Sequence, residues 1–380
     1  MKNRIFTCFV VMLMVFGCRP KGAVNTGTDW TLGPFVKVDS VNPVLESDMV
    51  ATFHCPILDT DVQWSDKDVF NPAAVVRFGK VYLLYRAEDK IGKYNGTSRI
   101  GLAMSEDGLH FRKLSAPVFY PDRDSMQRYE WEGGCEDPRV IEDERGTYYM
   151  TYTAYDGETA RLLVATSDDL YSWQKHGLAF EGTKYSLVWS KSGSIVCRLK
   201  GSRWVAERIN GKYWMYWGDT NMYAATSDDL IRWTPVMLKE GEAQEIPFQI
   251  LAKPYAGLKP IAGPRRGKFD SQLIEPGPPA MLTDKGILLL YNSRNILAYG
   301  DSTLADGCYT AGQLLFDPKD PTKVIKRTDS YFMKPDKPYE IAGQVNQVTF
   351  IEGLVKLKNR WFLYYGTADS KIAVAVKEGE

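Results

Sequence analysis

The sequence predicts an all-β fold, and more closely a five-bladed β-propeller, from a strand pattern that recurs five times. An aromatic-rich strand that follows a turn begins at residues 80, 146, 211, 285 and 359, which lie 66, 65, 74 and 74 residues apart. No long segment has helical periodicity, and the 32 glycines and 20 prolines suit a chain that is dense in turns. Groups of short strands repeated at this period are typical of radial four-stranded blades.

The amino-terminal residues predict an export signal. Residues 1–4 are positively charged, residues 5–16 are rich in apolar side chains, and Gly17 precedes Cys18. The apolar run is too short to cross a bilayer core of about 30 Å. Its Val-Phe-Gly-Cys ending resembles a bacterial lipobox, which would make Cys18 the lipidated first residue of the mature protein. An ordinary cleaved signal is the alternative.

These features divide the chain into three expected segments. A lipoprotein signal peptide spans residues 1–18, a tether and N-terminal segment spans residues 19–45, and the propeller spans residues 46–380. The last segment has no Ser/Gly-rich linker, which favours one closed domain over a run of small sandwiches. We expect a lipid-anchored protein of a Gram-negative outer membrane, on its periplasmic or surface face, which contacts the membrane through the anchor only.

An acidic turn signature lies between the aromatic strands. Residues 165–170 (Ala-Thr-Ser-Asp-Asp-Leu), followed by Trp173, return 60 residues later as residues 225–230, followed by Trp233, and a looser copy spans residues 103–111. Each copy predicts a turn between the two outer strands of a blade. We interpret the aspartates as turn residues and not as metal ligands.

The composition excludes several classes of function. The 47 basic and 47 acidic residues cancel, whereas a nucleic-acid partner would normally require a basic excess. Three histidines leave little material for a histidine-based triad or metal site, and we expect neither metal nor cofactor. The cysteines beyond Cys18 lack the spacing of a zinc site, although disulfides among them remain open. These cysteines are Cys55, Cys135, Cys197 and Cys308.

Asp137 is the most informative single residue. Two glycines precede it by a few positions, and Pro138 follows it directly. The glycines permit a sharp turn, and the proline biases Asp137 toward an extended conformation at the start of a strand over residues 139–141. A carboxylate held in this way can act as a general acid. From these residues alone, an Asp-Pro turn that caps a loop is an equal alternative.

Polar residues recur where the inner strands of the predicted propeller begin. Because these strands converge on a central channel, the side chains at their entries should form a ring around one pocket. The ring residues are Asn71, Asp137, Lys191, Glu275 and the pair Asn346-Gln347. This number of polar groups would be costly in a packed interior. The ring therefore predicts a site for a polyhydroxylated ligand.

Further side chains extend this predicted site. The ends of the second strands add Arg86, Asp219 and Asp369. Four tryptophans offer faces for sugar rings, although for each of them a core position is the stronger alternative. They are Trp131, Trp189, Trp214 and Trp217.

Two ring carboxylates, Asp137 and Glu275, predict a reaction. Glycosidases pair a carboxylic acid with a carboxylate base, and a separation of about 6.5 to 9.5 Å leaves room for water and inverts the anomeric centre. The second and fourth blades of a five-bladed ring lie on roughly opposite sides. This placement favours inversion over a covalent intermediate.

Six stretches of the chain resemble glycoside hydrolase family 130, the β-mannoside phosphorylases and hydrolases built on a five-bladed propeller. They are residues 70–73, 82–87, 136–139 (Glu-Asp-Pro-Arg), 207–213, 277–279 and 364–369 (Tyr-Tyr-Gly-Thr-Ala-Asp). The resemblance implies that Asp137 is the proton donor and acts through the mannose 3-hydroxyl. It also implies that Asn71, Arg86 and Asp369 hold the mannose.

The resemblance further bears on the choice between water and phosphate. Phosphorylases of the family bind phosphate with a basic cluster. Here Lys191 is present, but Glu275 stands where a phosphorylase tends to have a small residue, and Glu352 lies in the last inner hairpin. A carboxylate 4 Å from a phosphate costs about 1 to 4 kcal/mol per unit charge. We therefore expect water to be the nucleophile, with Glu275 as the first candidate base and Glu207, nearer the far end of its strand, as the second.

The predicted function is inverting hydrolysis of β-mannosidic linkages, β-1,2 linkages above all, in mannan or manno-oligosaccharides. One alternative is a β-mannoside phosphorylase that releases mannose 1-phosphate. A non-catalytic surface glycan-binding lipoprotein is another. An arabinofuranosidase or xylosidase of other five-bladed families fits the Arg86 and Asp369 stretches less well. Residues 239–268 predict a lid, a rim loop or an oligomer contact, and the oligomeric state stays open.

Overall fold

The computed structural model describes residues 29–94, 96–243 and 254–379, and within these ranges the fold is all-β. The expected signal peptide with Cys18, and part of the segment 239–268, lie outside them. Most of the described strands belong to five successive antiparallel meanders. None of the helices in the described ranges is long and apolar enough to span a bilayer.

Three short strands precede the first meander: β1 (Val36–Lys37), β2 (Phe53–Cys55) and β3 (Thr60–Val62). The first meander consists of β4 (Asp68–Arg77), β5 (Lys80–Glu88), β6 (Ser98–Ser105) and β7 (Arg112–Lys113). The one-turn helix α1 (Gln127–Glu130) follows it. The second meander consists of β8 (Gly134–Glu142), β9 (Tyr148–Tyr155), β10 (Ala160–Ser167) and β11 (Gln174–Leu178).

The third meander contains two short extra strands. It consists of β12 (Ser194–Lys200), β13 (Arg203–Ala206), β14 (Arg208–Ile209), β15 (Lys212–Trp217), β16 (Tyr223–Ser227) and β17 (Trp233–Pro235). The fourth consists of β18 (Leu273–Pro276), β19 (Ala280–Thr283), β20 (Gly286–Arg294), β21 (Tyr309–Phe316) and β22 (Val324–Arg327). After helix α2 (Pro338–Ile341), the fifth consists of β23 (Thr349–Leu357), β24 (Arg360–Thr367) and β25 (Lys371–Glu378).

The five predicted aromatic strands are confirmed as β5, β9, β15, β20 and β24. Each pairs with neighbours on both edges, so each is an interior strand of its meander. Both faces of an interior strand can be covered, which explains why the sequence shows continuous apolar and aromatic runs there and not a strict alternation.

The core lies between neighbouring meanders. Along β5, Leu83 and Tyr85 pack into one hydrophobic cluster, whereas Tyr82 and Leu84 pack into another. Because successive side chains of a strand point to opposite faces, this division shows that the first sheet is buried on both sides. The strand β24 behaves in the same way, with Tyr364 in one cluster and its neighbours in a second.

The N-terminal segment completes the last meander. The strand β1 pairs with β25 through Val36 opposite Val376, so the sheet that ends the chain also contains its first described strand. Trp30 and Leu32 are buried in the core. Part of the expected tether and N-terminal segment, residues 30–45, therefore packs against the fold.

The acidic turns are confirmed as turns. Asp169 accepts hydrogen bonds from the backbone N–H groups of Tyr171 and Ser172, both at 2.8 Å. Asp229 and Asp107 make the equivalent bonds in the third and first meanders. The four cysteines of the described ranges are buried and free, so they form no disulfide.

Candidate active site

A small polar pocket lies where the five meanders meet. Its volume is about 120 Å³, and six of its lining residues are among those predicted from the sequence. These are Asn71 in β4, Arg86 in β5, Asp137 in β8, Lys191 just before β12, Glu275 in β18 and Asp369 just after β24. Tyr309, Val348 and Phe350 complete the lining and were not predicted.

β-Bulges direct two of these side chains. The register of β8 against β9 shifts between Glu136 and Arg139, and Asp137 has a φ of 47°. Asn71 has the same φ, and the register of β4 against β5 shifts between its neighbours Phe70 and Pro72. The expectation of an extended Asp137 at a strand entry was wrong, because the residue lies inside the strand in a left-handed conformation. Such bulges re-aim a side chain, and strained backbone of this kind clusters at functional sites.

Asp137 is ringed by donors and cations. Its Oδ1 accepts a hydrogen bond from Asn71 Nδ2 at 2.9 Å and another from Arg86 Nη1 at 3.3 Å. Lys191 Nζ lies 3.5 Å from Oδ2. Burial alone would raise the pKa of Asp137, but Lys191 and Arg86, together with the bond from Asn71, outweigh burial and hold this pKa well below its usual range. In the unliganded pocket Asp137 is therefore ionised.

Arg86 and Lys191 each face more than one carboxylate. Arg86 Nη2 lies 2.6 Å from Glu88 Oε1 and 3.1 Å from Glu136 Oε1. Lys191 Nζ lies 3.5 Å from Glu136 as well as from Asp137. Burial raises the pKa of Glu136 against the pull of both cations. The positive charges of the pocket are thus already engaged by carboxylates of the protein.

Glu275 lies in the same pocket in a different electrostatic state. Only 6% of the residue is exposed, and its Oε1 accepts a hydrogen bond from Ser192 Oγ. Burial raises the pKa of Glu275 to about 7, with Lys191 opposing the rise and Asp219 adding to it. Burial likewise raises the pKa of Asp369 to about 7. Near neutral pH, both groups can therefore gain or lose a proton.

Arg139 was not singled out from the sequence, yet it connects the two candidate catalytic segments. Its guanidinium donates to the backbone carbonyls of Pro276 at 2.8 Å, Gly277 at 2.9 Å and Asp137 at 3.2 Å. Arg139 is 2% exposed. A rigid fork of donors such as this fixes the backbone that carries Asp137 relative to the backbone that carries Glu275.

Glu352 lies behind this arginine. Its Oε1 is 3.5 Å from Arg139 Nη1, and neither carboxyl oxygen has a hydrogen-bond partner among the described residues. Burial raises its pKa well above the usual range, against the influence of Arg139. Burial thus favours the neutral form of Glu352, which weakens its predicted part in excluding phosphate.

Glu207 is not part of the pocket. Its Oε2 faces Arg198 at 3.8 Å and Lys200 at 3.7 Å, and about 29% of its side chain is exposed. It lies between β13 and β14 and is not among the residues that line the pocket. The structure therefore does not bring the second candidate base to Asp137.

The tryptophans divide into core and surface positions. Trp217 is fully buried against Phe180 and Tyr223, so it offers no face to a ligand. Trp214 packs against a core cluster and donates to the Ile209 carbonyl. Trp189 is 40% exposed, and its Nε1 donates to Asp219 at 2.6 Å. Of these three, Trp189 is the most exposed, and Trp214 is partly buried.

The arrangement as a whole provides two buried carboxyl groups in opposite states. One is stabilised as a carboxylate by cations, and the other titrates near neutrality. Glycosidases likewise place two carboxyl groups in different electrostatic environments, but in the unliganded pocket the expected acid Asp137 has the lower pKa of the two.

The chain is similar to several proteins of known family. The family model described as β-1,4-mannooligosaccharide phosphorylase, glycoside hydrolase family 130, matches residues 50–380. The 1,2-β-oligomannan phosphorylase of Thermoanaerobacter sp. (strain X514) is 30% identical over 325 residues, which cover 83% of this chain and 92% of that protein.

Solved structures extend the similarity. A glycosyl hydrolase from Bacteroides ovatus is 46% identical with a TM-score of 0.86, and the match covers 92% of this chain and 95% of that one. Another structure comes from work on hydrolases among the mannoside phosphorylases of family 130, which target β-1,2-mannosidic linkages in Candida mannan. It is 44% identical with a TM-score of 0.86, and the match covers 92% of this chain and 95% of that one.

Proposed function

The chain belongs to glycoside hydrolase family 130, and on that basis we propose that it is an inverting hydrolase of β-mannosidic linkages, β-1,2 linkages above all. The observation that carries this proposal is the presence of Glu275, a buried carboxyl group with a pKa near 7, in the pocket that also contains Asp137. The substrate is a mannan or manno-oligosaccharide.

The residues take the following roles. Asn71, Arg86 and Asp369 hold the mannose, and Asp137 supplies the proton that the leaving glycosidic oxygen needs, through the mannose 3-hydroxyl. Glu275 takes a proton from the water that attacks the anomeric carbon. Because the water and the leaving group lie on opposite faces of the sugar, the first product has the inverted configuration. Arg139 does not touch the substrate and keeps the two carboxyl groups in position.

Hydrolysis is favoured over phosphorolysis by the charge balance of the pocket. Lys191 and Arg86 are the cations that a phosphate would need, but both already face Asp137 and Glu136 at 3.1 to 3.5 Å. A phosphate dianion would also approach Glu275 and meet repulsion whenever that group is ionised. The 44% identity to a structure from work on family hydrolases supports the same choice.

Phosphorolysis is the second candidate. It is supported by the 30% identity to a 1,2-β-oligomannan phosphorylase over most of both chains. A glycan-binding protein without activity is a third, and it would need no buried carboxyl pair.

Product analysis on β-1,2-mannobiose separates the three candidates. The hydrolase releases mannose in phosphate-free buffer, and added phosphate produces no mannose 1-phosphate. Turnover that requires phosphate and yields mannose 1-phosphate would establish the phosphorylase. Binding of the disaccharide without any product would establish the binding protein.

The five-bladed propeller also remains part of this proposal. It is supported by the five meanders, by sheets such as the first that are covered on both faces, and by β1 joining the last sheet. A crystal structure should place the five sheets around one axis with the pocket at its centre. Two sheets packed face to face as a sandwich would contradict it.

We further propose export and lipidation at Cys18, on the basis of residues 1–18 of the sequence alone. The native protein should then partition into detergent, and Cys18→Ala should release it in soluble form. Equal solubility of the two forms would leave a plain secretory signal.

A further inference from the structure

Three aromatic side chains form a continuous strip beside the pocket. Tyr94 and Tyr155 meet edge to face with ring centroids 6.2 Å apart, and Tyr155 and Trp189 meet in the same way at 6.4 Å. The three residues, called the aromatic strip below, come from the loop between β5 and β6, the end of β9 and the segment before β12. Trp189 is the most open of them, at 40% exposure.

The strip lies at the same end of the sheets as the pocket. Tyr155 pairs with Gly134, which precedes Asp137 by three residues on β8. Trp189 precedes the pocket residue Lys191 by two. The indole of Trp189 donates to Asp219, whose charge in turn acts on Glu275. The strip therefore lies near the pocket, although none of its three residues is among the residues that line it.

The strip is held rigidly by its surroundings. A Cβ placed on Gly157 would come within 2.2 Å of the Tyr94 ring, and one on Gly133 within 2.3 Å of the Tyr155 ring, so both rings lie directly on glycine backbone. The Tyr155 hydroxyl donates to the Gly157 carbonyl at 2.9 Å, and the Tyr255 hydroxyl donates to the Trp189 carbonyl at 2.7 Å. Rigid aromatic faces bind a ligand at little entropic cost.

We propose that the aromatic strip binds the sugar units that follow the mannose held in the pocket, so that the protein prefers uncharged β-mannan chains longer than a disaccharide. Pyranose rings present C–H groups that pack on aromatic faces, and Asp219 offers a hydrogen-bond acceptor beside Trp189. The pocket is small, so the further units of a chain would have to lie outside it. The inference rests on the proposed function, because it takes the pocket to hold a mannose unit.

The test is direct binding, which does not depend on whether water or phosphate is the nucleophile. We would measure calorimetric affinity for β-1,2-mannobiose and β-1,2-mannotetraose in an inactive Asp137→Asn background. Adding Trp189→Ala should weaken tetrasaccharide binding roughly five- to tenfold and disaccharide binding less. Tyr171→Ala is the matched control, because Tyr171 is a similarly exposed aromatic residue, at 45%, in the outer turn after β10.

The outcomes are distinct. If Trp189→Ala binds the tetrasaccharide as tightly as the Asp137→Asn parent does, the strip is not a binding surface, although the proposed function stands. If the parent binds neither saccharide, both proposals are wrong. Should Trp189→Ala fail to fold, Tyr94→Ala at the far end of the strip provides the same test, with a loss for the tetrasaccharide and none for the disaccharide.

Discussion

At the residue scale, the two carboxyl groups of the pocket share one essential proton. The proposed reaction needs Asp137 protonated and Glu275 ionised, whereas in the free protein Asp137 is ionised and the pKa of Glu275 is about 7. At pH values below 7 the pair holds one proton, as the reaction requires. In the free protein, however, that proton is on Glu275 and not on Asp137. The reactive arrangement therefore arises when substrate binds and displaces the charges around Asp137.

This proton count predicts the sign of the pH dependence. The value of kcat/KM reports the protonation state of the free enzyme. As the pH rises through about 7, the pair loses its single proton, so kcat/KM should fall by roughly tenfold per pH unit above that point. Asp369 also titrates near pH 7, so its titration could cause the same fall in kcat/KM. The fall should therefore be measured in Asp369→Asn as well, where it should persist. A decline of kcat/KM as the pH drops below 7 would show that Asp137 holds its own proton.

The sequence predicted the charged residues of the pocket better than their surroundings. Asn71, Asp137, Lys191 and Glu275 were detectable because each is polar and shortly precedes an apolar run in the sequence. Trp217 was predicted as a possible ligand face because the sequence of an apolar strand does not show whether an aromatic side chain faces the core or a ligand. Glu352 carried a usable signal, since it is a lone acid within the apolar residues of β23.

At the scale of the strand, bulges and close contacts shape the site. Gly366 in β24 is a position where a side chain would disturb a neighbour, because a Cβ there would come 2.4 Å from Asn71 Oδ1 and 3.1 Å from Asn71 N. Asn71 in turn donates to Asp137. The glycine therefore makes room for the bulge at Asn71, whose side chain bonds to the candidate acid.

We predict that Gly366→Ala lowers kcat roughly ten- to a hundredfold, because it moves Asn71 and with it Asp137. The effect should act through Asn71. A double-mutant cycle tests this by comparing kcat of Gly366→Ala, Asn71→Ala and the double variant. The cost of Gly366→Ala should largely disappear in the Asn71→Ala background. Fully additive losses would mean that Gly366 acts by another route, such as general loss of stability, which thermal unfolding would reveal.

The strands could be predicted from the sequence, but the bulges could not. The five aromatic strands stood out because an interior strand is covered on both faces and reads as a continuous apolar run. A bulge depends on how two strands pair across the sheet, and neither partner's sequence reveals the register. The conformation of Asp137 was missed for this reason, and Pro138 was wrongly taken to favour an extended backbone there.

At the scale of the whole molecule, the N-terminal segment fastens the last sheet. Lys37 Nζ donates to Glu340 Oε2 and to Asp336 Oδ1, both at 2.7 Å, and the Glu340 side chain is fully buried. The Asn42 side chain makes two backbone hydrogen bonds to Val374 in β25. These contacts join residues 37–42 to both the last strand and the helix α2.

Lys37→Met should therefore destabilise the protein. The change removes the cation that faces the buried Glu340, which keeps hydrogen bonds from the backbone N–H groups of Asp336 and Lys337 and from the Tyr365 hydroxyl. The loss should cost about 2 kcal/mol and lower the Tm by several degrees. The matched control is Lys371→Met, which breaks an exposed pair with Glu46 and should change stability by less than about 1 kcal/mol. Thermal unfolding measures both, and equal shifts would contradict the role of Lys37.

The central claim is that Glu275 is the base, and kcat on β-1,2-mannobiose for Glu275→Gln and Glu207→Gln tests it most directly. We predict that Glu275→Gln loses roughly 10²- to 10⁴-fold in kcat with little change in KM. Glu207→Gln should stay near wild type, because Glu207 faces Arg198 and Lys200 outside the pocket. A nearly unchanged kcat in Glu275→Gln together with a large loss in Glu207→Gln would contradict the account and assign the base to Glu207.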